Sequence, residues 1–167
     1  SPGYPMPQAE ALHEPVAQAR ISAARLGSEQ FKRAYGIRYA YLAGAMYKGI
    51  ASKEVVVAMA KAGLMGYLGT GGLRLDRIES DIRSIQAQLP AEGRYGMNLL
   101  SDLSQPELEQ RTVELFLKCG VRFIEAAAYM QISPSLVRYR SKGLKRRPDG
   151  RIEAPHRVLA KVSRPEV

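Results

Sequence analysis

Apolar residues in this chain recur in two patterns that take turns along its length. One is a short, nearly unbroken apolar run, and the other is an apolar step of three or four residues among charged ones. The run over 39–46, bounded by Gly36 and Gly49, predicts a first strand. Ser52 then offers an N-cap hydroxyl, and Val55, Val56, Met59 and Ala62 follow at helical spacing until Gly63. Residues 64–68 predict a second strand and 69–72 the turn after it. Leu75, Ile78, Ile82, Ile85 and Leu89 mark a clear amphipathic helix, closed by Pro90 and Gly93. A third strand is predicted over 95–100. Ser104 to Glu107 reads as a capping box with Pro106 in the first turn of the next helix, whose apolar face runs from Leu108 to Cys119. A fourth strand over 121–127, a short helix opened by Ser133 and Pro134, a turn at Pro148-Asp149-Gly150 and a fifth strand over 157–163 complete the pattern. Before residue 26 the chain reads as an irregular lead-in; the Ala-rich stretch 9–26 would make only a loose helix, interrupted early by Pro15.

Strand and helix in even alternation predict an α/β fold with a parallel sheet. Strands this apolar expect cover on both faces. A doubly wound sheet and a TIM-type barrel both fit. No GxGxxG follows the first strand, which counts against a dinucleotide-binding doubly wound domain. A full (β/α)8 barrel takes about 250 residues, so 167 residues would hold about the first five βα units, over 26–167, as an N-terminal fragment.

Composition narrows the function classes. No apolar run approaches a membrane span, since Lys48, Lys53 and Lys61 interrupt the most apolar region. Residues 1–18 have no secretory h-region. The lone Cys119 excludes an internal disulfide and suits the cytoplasm. Neither His13 nor His156 stands in a recognisable catalytic pairing with it, so packing is its expected role. The net charge of +9 invites a nucleic-acid reading, but ten basic residues against two acids lie between Arg138 and Arg164. The excess is thus one local excursion, a hairpin-like insertion over about 138–157, without aromatic interleaving beyond Tyr139.

Candidate chemistry gathers at the ends of the predicted strands. Ala43-Gly44-Ala45-Met46 and Gly69-Thr70-Gly71-Gly72 leave backbone bare enough for something flat or charged to come close, though tight packing asks for the same residues. The amides of the second stretch could form an anion nest; a plain turn serves as well. Asn98 is a polar amide in an apolar strand and needs hydrogen bonds. Glu125, also within a strand, must be paired or face a ligand; Lys48 and Arg122 are the partners at hand. All four features fall at C-terminal strand ends, which in a barrel converge on one face.

The segments FKRAYGIRYAYLAGAMYKGIASKE, GLMGYLGTGGL, RYGMNLL, RFIEAAAYM and HRVLAKVSRPEV together resemble the flavin-dependent enoyl reductases that act in trans on polyketide and polyunsaturated fatty acid synthases, relatives of 2-nitropropane dioxygenase. The resemblance covers nearly all of the chain after residue 25. It implies a TIM barrel that binds FMN and takes hydride from NADPH or NADH. It implies that Ala45 and Met46 lie against the flavin ring, that Gly69, Thr70 and Gly71 border it, that Asn98 hydrogen-bonds it and that Glu125 lines the same pocket. The family's phosphate-binding loops and Gly-Gly-His motif come later in the barrel, so the catalytic histidine is expected beyond Val167, and this stretch alone is expected to bind FMN poorly. Expected partners are an acyl carrier protein, the remainder of its own barrel and a second copy in a homodimer, with neither nucleic acid nor membrane. On this reading the basic insertion, near the active-site face, could steer the acidic carrier; a solvated surface insertion accounts for it as well. Two rivals remain at this point: a nitronate monooxygenase-type oxidase on the same barrel, and a basic nucleic-acid-binding module.

Overall fold

A computed structural model describes residues 21–46 and 52–162. The lead-in before residue 21 and Ser163, the last residue of the expected fifth strand, therefore lie outside the described residues. So does Lys48, one of the two partners expected for Glu125. Ala23–Arg25 form a single 3-10 turn. Helix α1, Glu29–Tyr35, follows; Ser28 caps it by accepting the Phe31 N–H, and Gly36 ends it at φ +63°. The hydrophobic pattern alone did not predict this helix.

Strand β1 is Leu42–Ala43, much shorter than the expected 39–46. The residues before it are held as a turn, with the Arg38 and Tyr39 amides both donating to the Gly63 carbonyl and Tyr41 to that of Tyr39. Beyond it, the Ala45 amide donates to a side chain and not to a strand. Helix α2, Lys53–Lys61, starts as predicted, with the Ser52 hydroxyl accepting the Val55 N–H. Strand β2, Met65–Leu68, helix α3, Leu75–Gln88, strand β3, Gly96–Leu100, helix α4, Pro106–Lys118, and strand β4, Phe123–Ala127, match their expected places. The expected capping box does not form. Asp102 Oδ1 accepts both the amide and the hydroxyl of Ser104, so that hydroxyl is diverted into the loop. Helix α4 starts instead at Pro106 behind Gln105, which makes no side-chain cap. Helix α5, Pro134–Ser141, is capped by Ser133. Strands β5, Lys145–Arg146, and β6, Ile152–Glu153, pair antiparallel around the predicted turn, and β7, Arg157–Ala160, returns to the main sheet.

The main sheet is entirely parallel, in the order β1-β2-β3-β4-β7. The order never reverses, so right-handed crossovers place every connecting helix on one face. That is a singly wound sheet, not a doubly wound one. Its residues alternate between two cores. Leu68, Met97, Leu99 and Ile124 point out against Ile78, Ile82, Ile85, Val113 and Phe116 of the helices. Met65, Tyr67, Phe123 and Leu159 point in, against Phe31, Tyr35 and Ile37. The concave side is closed at the N-terminal strand ends by α1, whose Tyr35 ring stacks on Phe123 at 5.3 Å between centroids.

The curl shows in one hydrogen bond. Strands β1 and β4 stand three places apart, roughly 14 Å in a flat sheet. Yet Glu125 on β4 accepts the Ala45 N–H, just past β1, at 2.8 Å. The sheet therefore bends round on itself, and the fold is an arc of five strands of a TIM-type barrel.

Gly96 shows how tightly the inside is filled. The Tyr67 ring lies over it, in the space a Cβ would take. Gly96→Ala therefore forces the fully buried ring off its seat, an overpacking cost of about 1–3 kcal/mol. Urea unfolding of the full-length protein should show the midpoint falling accordingly; an unchanged midpoint would mean that the ring moves freely.

Candidate functional site

The C-terminal strand ends bring together six of the seven residues singled out from the sequence. Glu125 is only 2% exposed, and its centre is a three-way contact. Its carboxylate accepts the Ala45 amide at 2.8 Å and sits 3.4 Å from the Lys161 ammonium, just past β7. Lys161 in turn lies 3.5 Å from the Ala45 carbonyl. A buried carboxylate with a backbone donor and a cation is a satisfied one. Of the two expected partners, Arg122 is not used. It lies at the opposite end of β4, with its guanidinium 5.9 Å from the Phe123 ring centre.

Asn98 pairs in register with Glu125, and its Nδ2 donates to the Glu125 carbonyl at 3.4 Å. The Thr70 hydroxyl donates to the Asn98 carbonyl at 2.9 Å. Gly69 stands against Met46, whose carbonyl fills the space of its missing Cβ. The two bare stretches thus meet as one wall, and the bareness serves the protein first. A Cβ at Gly44 would likewise lie 3.3 Å from Glu125 Oε1. Gly71, together with Thr70, lines a cavity of about 400 Å3 with Leu99, Asp102 and Glu109, between the N-terminal ends of α3 and α4.

Lys161 is the site residue that the sequence reading passed over. The register of the folded sheet sets it there: β7 pairs Leu159 with Glu125, so Lys161, two residues on, shares its inward face. Its side chain is about half exposed, as is Met46. Tyr67, beneath them, is wholly buried, and burial, with Tyr35 beside it, pushes its phenol far above the ordinary range. It is packing, not an acid–base group. Burial also raises the Cys119 thiol, as fits its expected packing role. Among the described residues no group of acids, histidines and cysteines is suited to a metal, and no helix is long and apolar enough to cross a membrane.

The basic insertion is not near the active-site face. Helix α5 carries the chain from the C-terminal ends of the strands to their N-terminal ends, and the hairpin of β5 and β6 lies beside the starts of β4 and β7. It therefore stands at the end opposite Glu125, not near the candidate site. Part of its charge is paired, since Arg138 forks onto Glu114.

No family model matches the chain. It is 48% identical over 150 residues to the polyketide biosynthesis protein PksE of Bacillus subtilis, covering 90% of this chain and 20% of PksE. It is 54% identical over 143 residues to the polyketide biosynthesis protein ThaF of Burkholderia thailandensis, covering 86% of this chain and 12% of ThaF. A polyunsaturated fatty acid synthase polypeptide of Thraustochytrium is 41% identical over 142 residues, covering 85% of this chain and 9% of that polypeptide. The crystal structure of the enoyl reductase domain of MlnA, from the macrolactin cluster of Bacillus amyloliquefaciens, superposes with a TM-score of 0.84 at 41% identity. The resemblance to enoyl reductases of polyketide and polyunsaturated fatty acid synthesis holds. It spans 87% of this chain and 33% of the MlnA chain. The chain thus spans a fifth or less of the length of these curated relatives.

The residues at this end fit the ring of a flavin. They offer an amide at Asn98, an ammonium at Lys161, a half-exposed thioether at Met46 and close backbone between Met46 and Gly69. A flat heterocycle with polar edges needs that donor set.

Lys161→Met leaves the buried Glu125 carboxylate without its cation, whereas Glu125→Gln keeps an acceptor for Ala45 and leaves a half-exposed lysine to water. Lys161→Met should therefore destabilise more, by about 1–3 kcal/mol against less than half that. Urea titrations of both variants at neutral pH check the order; the reverse order would remove Lys161 as the partner that matters.

Proposed function

We propose that this chain supplies the N-terminal part of the barrel of an FMN-dependent enoyl reductase, a cytoplasmic enzyme that acts in trans on polyketide or polyunsaturated fatty acid intermediates. Its substrate is the α,β-double bond of an acyl chain held as a thioester on an acyl carrier protein. The observation that carries this reading is the cluster of Ala45, Met46, Asn98, Glu125 and Lys161 at the C-terminal end of an arc that superposes on an enoyl reductase domain.

FMN, when bound, would pass on to the β-carbon the hydride that NADPH or NADH supplies. This chain's part is to hold and orient. Ala45 and Met46 form one wall, with Gly69 packed behind Met46 to fix its backbone. Asn98 offers its amide to a polar edge of the ring. Lys161 places a positive charge where negative charge on a reduced ring would be favoured, and Glu125 holds that lysine in place. Thr70 supports the wall through the Asn98 carbonyl. Gly71 borders the ring only if its loop turns inward. The proton donor and the phosphate grip belong to the remainder of the barrel, and the complete enzyme works with a carrier protein, as a homodimer, without nucleic acid or membrane.

The full-length protein should purify yellow and reduce an enoyl thioester on a carrier protein at the expense of NADPH or NADH. Asn98→Ala should lower flavin occupancy, and Lys161→Ala should lower the rate at saturating substrate by about tenfold or more. A colourless preparation that cannot be reconstituted with FMN sinks the flavin reading. Turnover of free nitronates without turnover of carrier thioesters would make it an oxidase instead.

A further inference from the structure

At the opposite end of the arc, five arginines surround one hollow of about 320 Å3: Arg94, Arg122, Arg147, Arg151 and Arg157, with Glu153 as the acid on its wall. Three of them precede or open neighbouring strands, Arg94 before β3, Arg122 before β4 and Arg157 at the start of β7. The other two face each other across the hairpin turn, where the Arg147 amide donates to the Arg151 carbonyl at 2.8 Å. The strand starts are locked together in turn, the Arg157 amide donating to the Arg122 carbonyl at 2.8 Å. The five guanidinia thus come from rigid backbone on three sides, not from one mobile loop.

Their charge is compensated only in part. Among the described residues, none of Arg94, Arg122, Arg147 and Arg157 makes a salt bridge, and Arg151 has only Asp149 at 3.9 Å. Like charges lining one hollow repel. Arg94 adds a second observation. Its Nε is buried without a hydrogen-bond partner, wedged where Gly36 leaves room at the end of α1, and its guanidinium lies 5.9 Å from the Phe123 ring centre. That one donor is buried without an acceptor, while the residue as a whole is only partly buried.

We infer that this hollow binds a phosphate-bearing anion of two or more charges, such as a diphosphate group. Guanidinia fork onto tetrahedral oxyanions through paired N–H groups, and several converging on one concavity select a compact, multiply charged ligand. The site is separate from the proposed flavin site, which lies at the other end of the same strands, so it stands or falls independently of that reading.

Titration calorimetry on the full-length protein with inorganic pyrophosphate tests it. Pyrophosphate should bind with one-to-one stoichiometry and more tightly than inorganic monophosphate. Arg94→Gln and Arg122→Gln should each weaken it about tenfold or more. Arg94→Lys, which keeps the charge but loses the fork, should fall between, and Arg83→Gln on the far face of α3 should bind as the parent does. Thermal unfolding of each variant verifies that it is folded. ADP that displaces pyrophosphate supports the site with a nucleotide as the source of the diphosphate; ADP that does not supports it with the free anion. Pyrophosphate binding unchanged in both glutamine variants, or no binding at millimolar pyrophosphate, overturns the inference.

Discussion

The carboxylate of Glu125 holds this arc closed. A five-stranded parallel sheet has two open edges and no covalent reason to curl beyond its natural twist. Here one side chain on the fourth strand reaches the backbone past the first and, through Lys161, the residue past the last. Three strand ends are thereby fixed to a single group. The wall of bare backbone, the position of Asn98 and the direction of Lys161 all depend on that closure. A charge is suited to this because its demands are directional. An apolar contact would tolerate sliding, but a buried carboxylate must find its amide and its cation or destabilise the fold heavily.

The same constraint explains why Gly44 and Gly69 have no side chains. From the sequence, bare strand ends looked like room for a ligand. In the fold the first room is taken by Glu125 and the second by the Met46 carbonyl. Close backbone packing and a ligand site are not rivals here. The packing sets the wall, and what remains accessible, Met46 and Lys161, is what a ligand would meet.

How much was legible follows physical lines. Helix α3 was plain because its apolar residues step by three and four over many turns. Strands β2 to β4 were plain because both faces are buried, which makes the runs apolar but for Asn98 and Glu125. Helix α1 was missed because seven residues carry too little periodicity, though Ser28 and Gly36 marked both of its ends. The long first strand and the capping box failed for a common reason: each depended on where a hydrogen bond would go, and the Gly63 carbonyl and Asp102 were competing partners not visible to local pattern. Ala45, Asn98 and Glu125 were found because polar or bare residues in apolar strands stand out. Lys161 was not, because a lysine at a strand end is ordinary until the register sets it beside Glu125. The basic hairpin was seen but set at the wrong end, since charge alone carries no direction along a barrel.

Helix α1 has a consequence for how the chain is made. It precedes every strand of the sheet, yet its Tyr35 rests on Phe123 of the fourth. Its seat does not exist until most of the described chain has left the ribosome. Until then Phe31, Tyr35, Met65 and Tyr67 have no floor to cover or be covered by. The stopper is synthesised first and inserted late, so the inner core is the part of this arc that depends longest on protection during biogenesis.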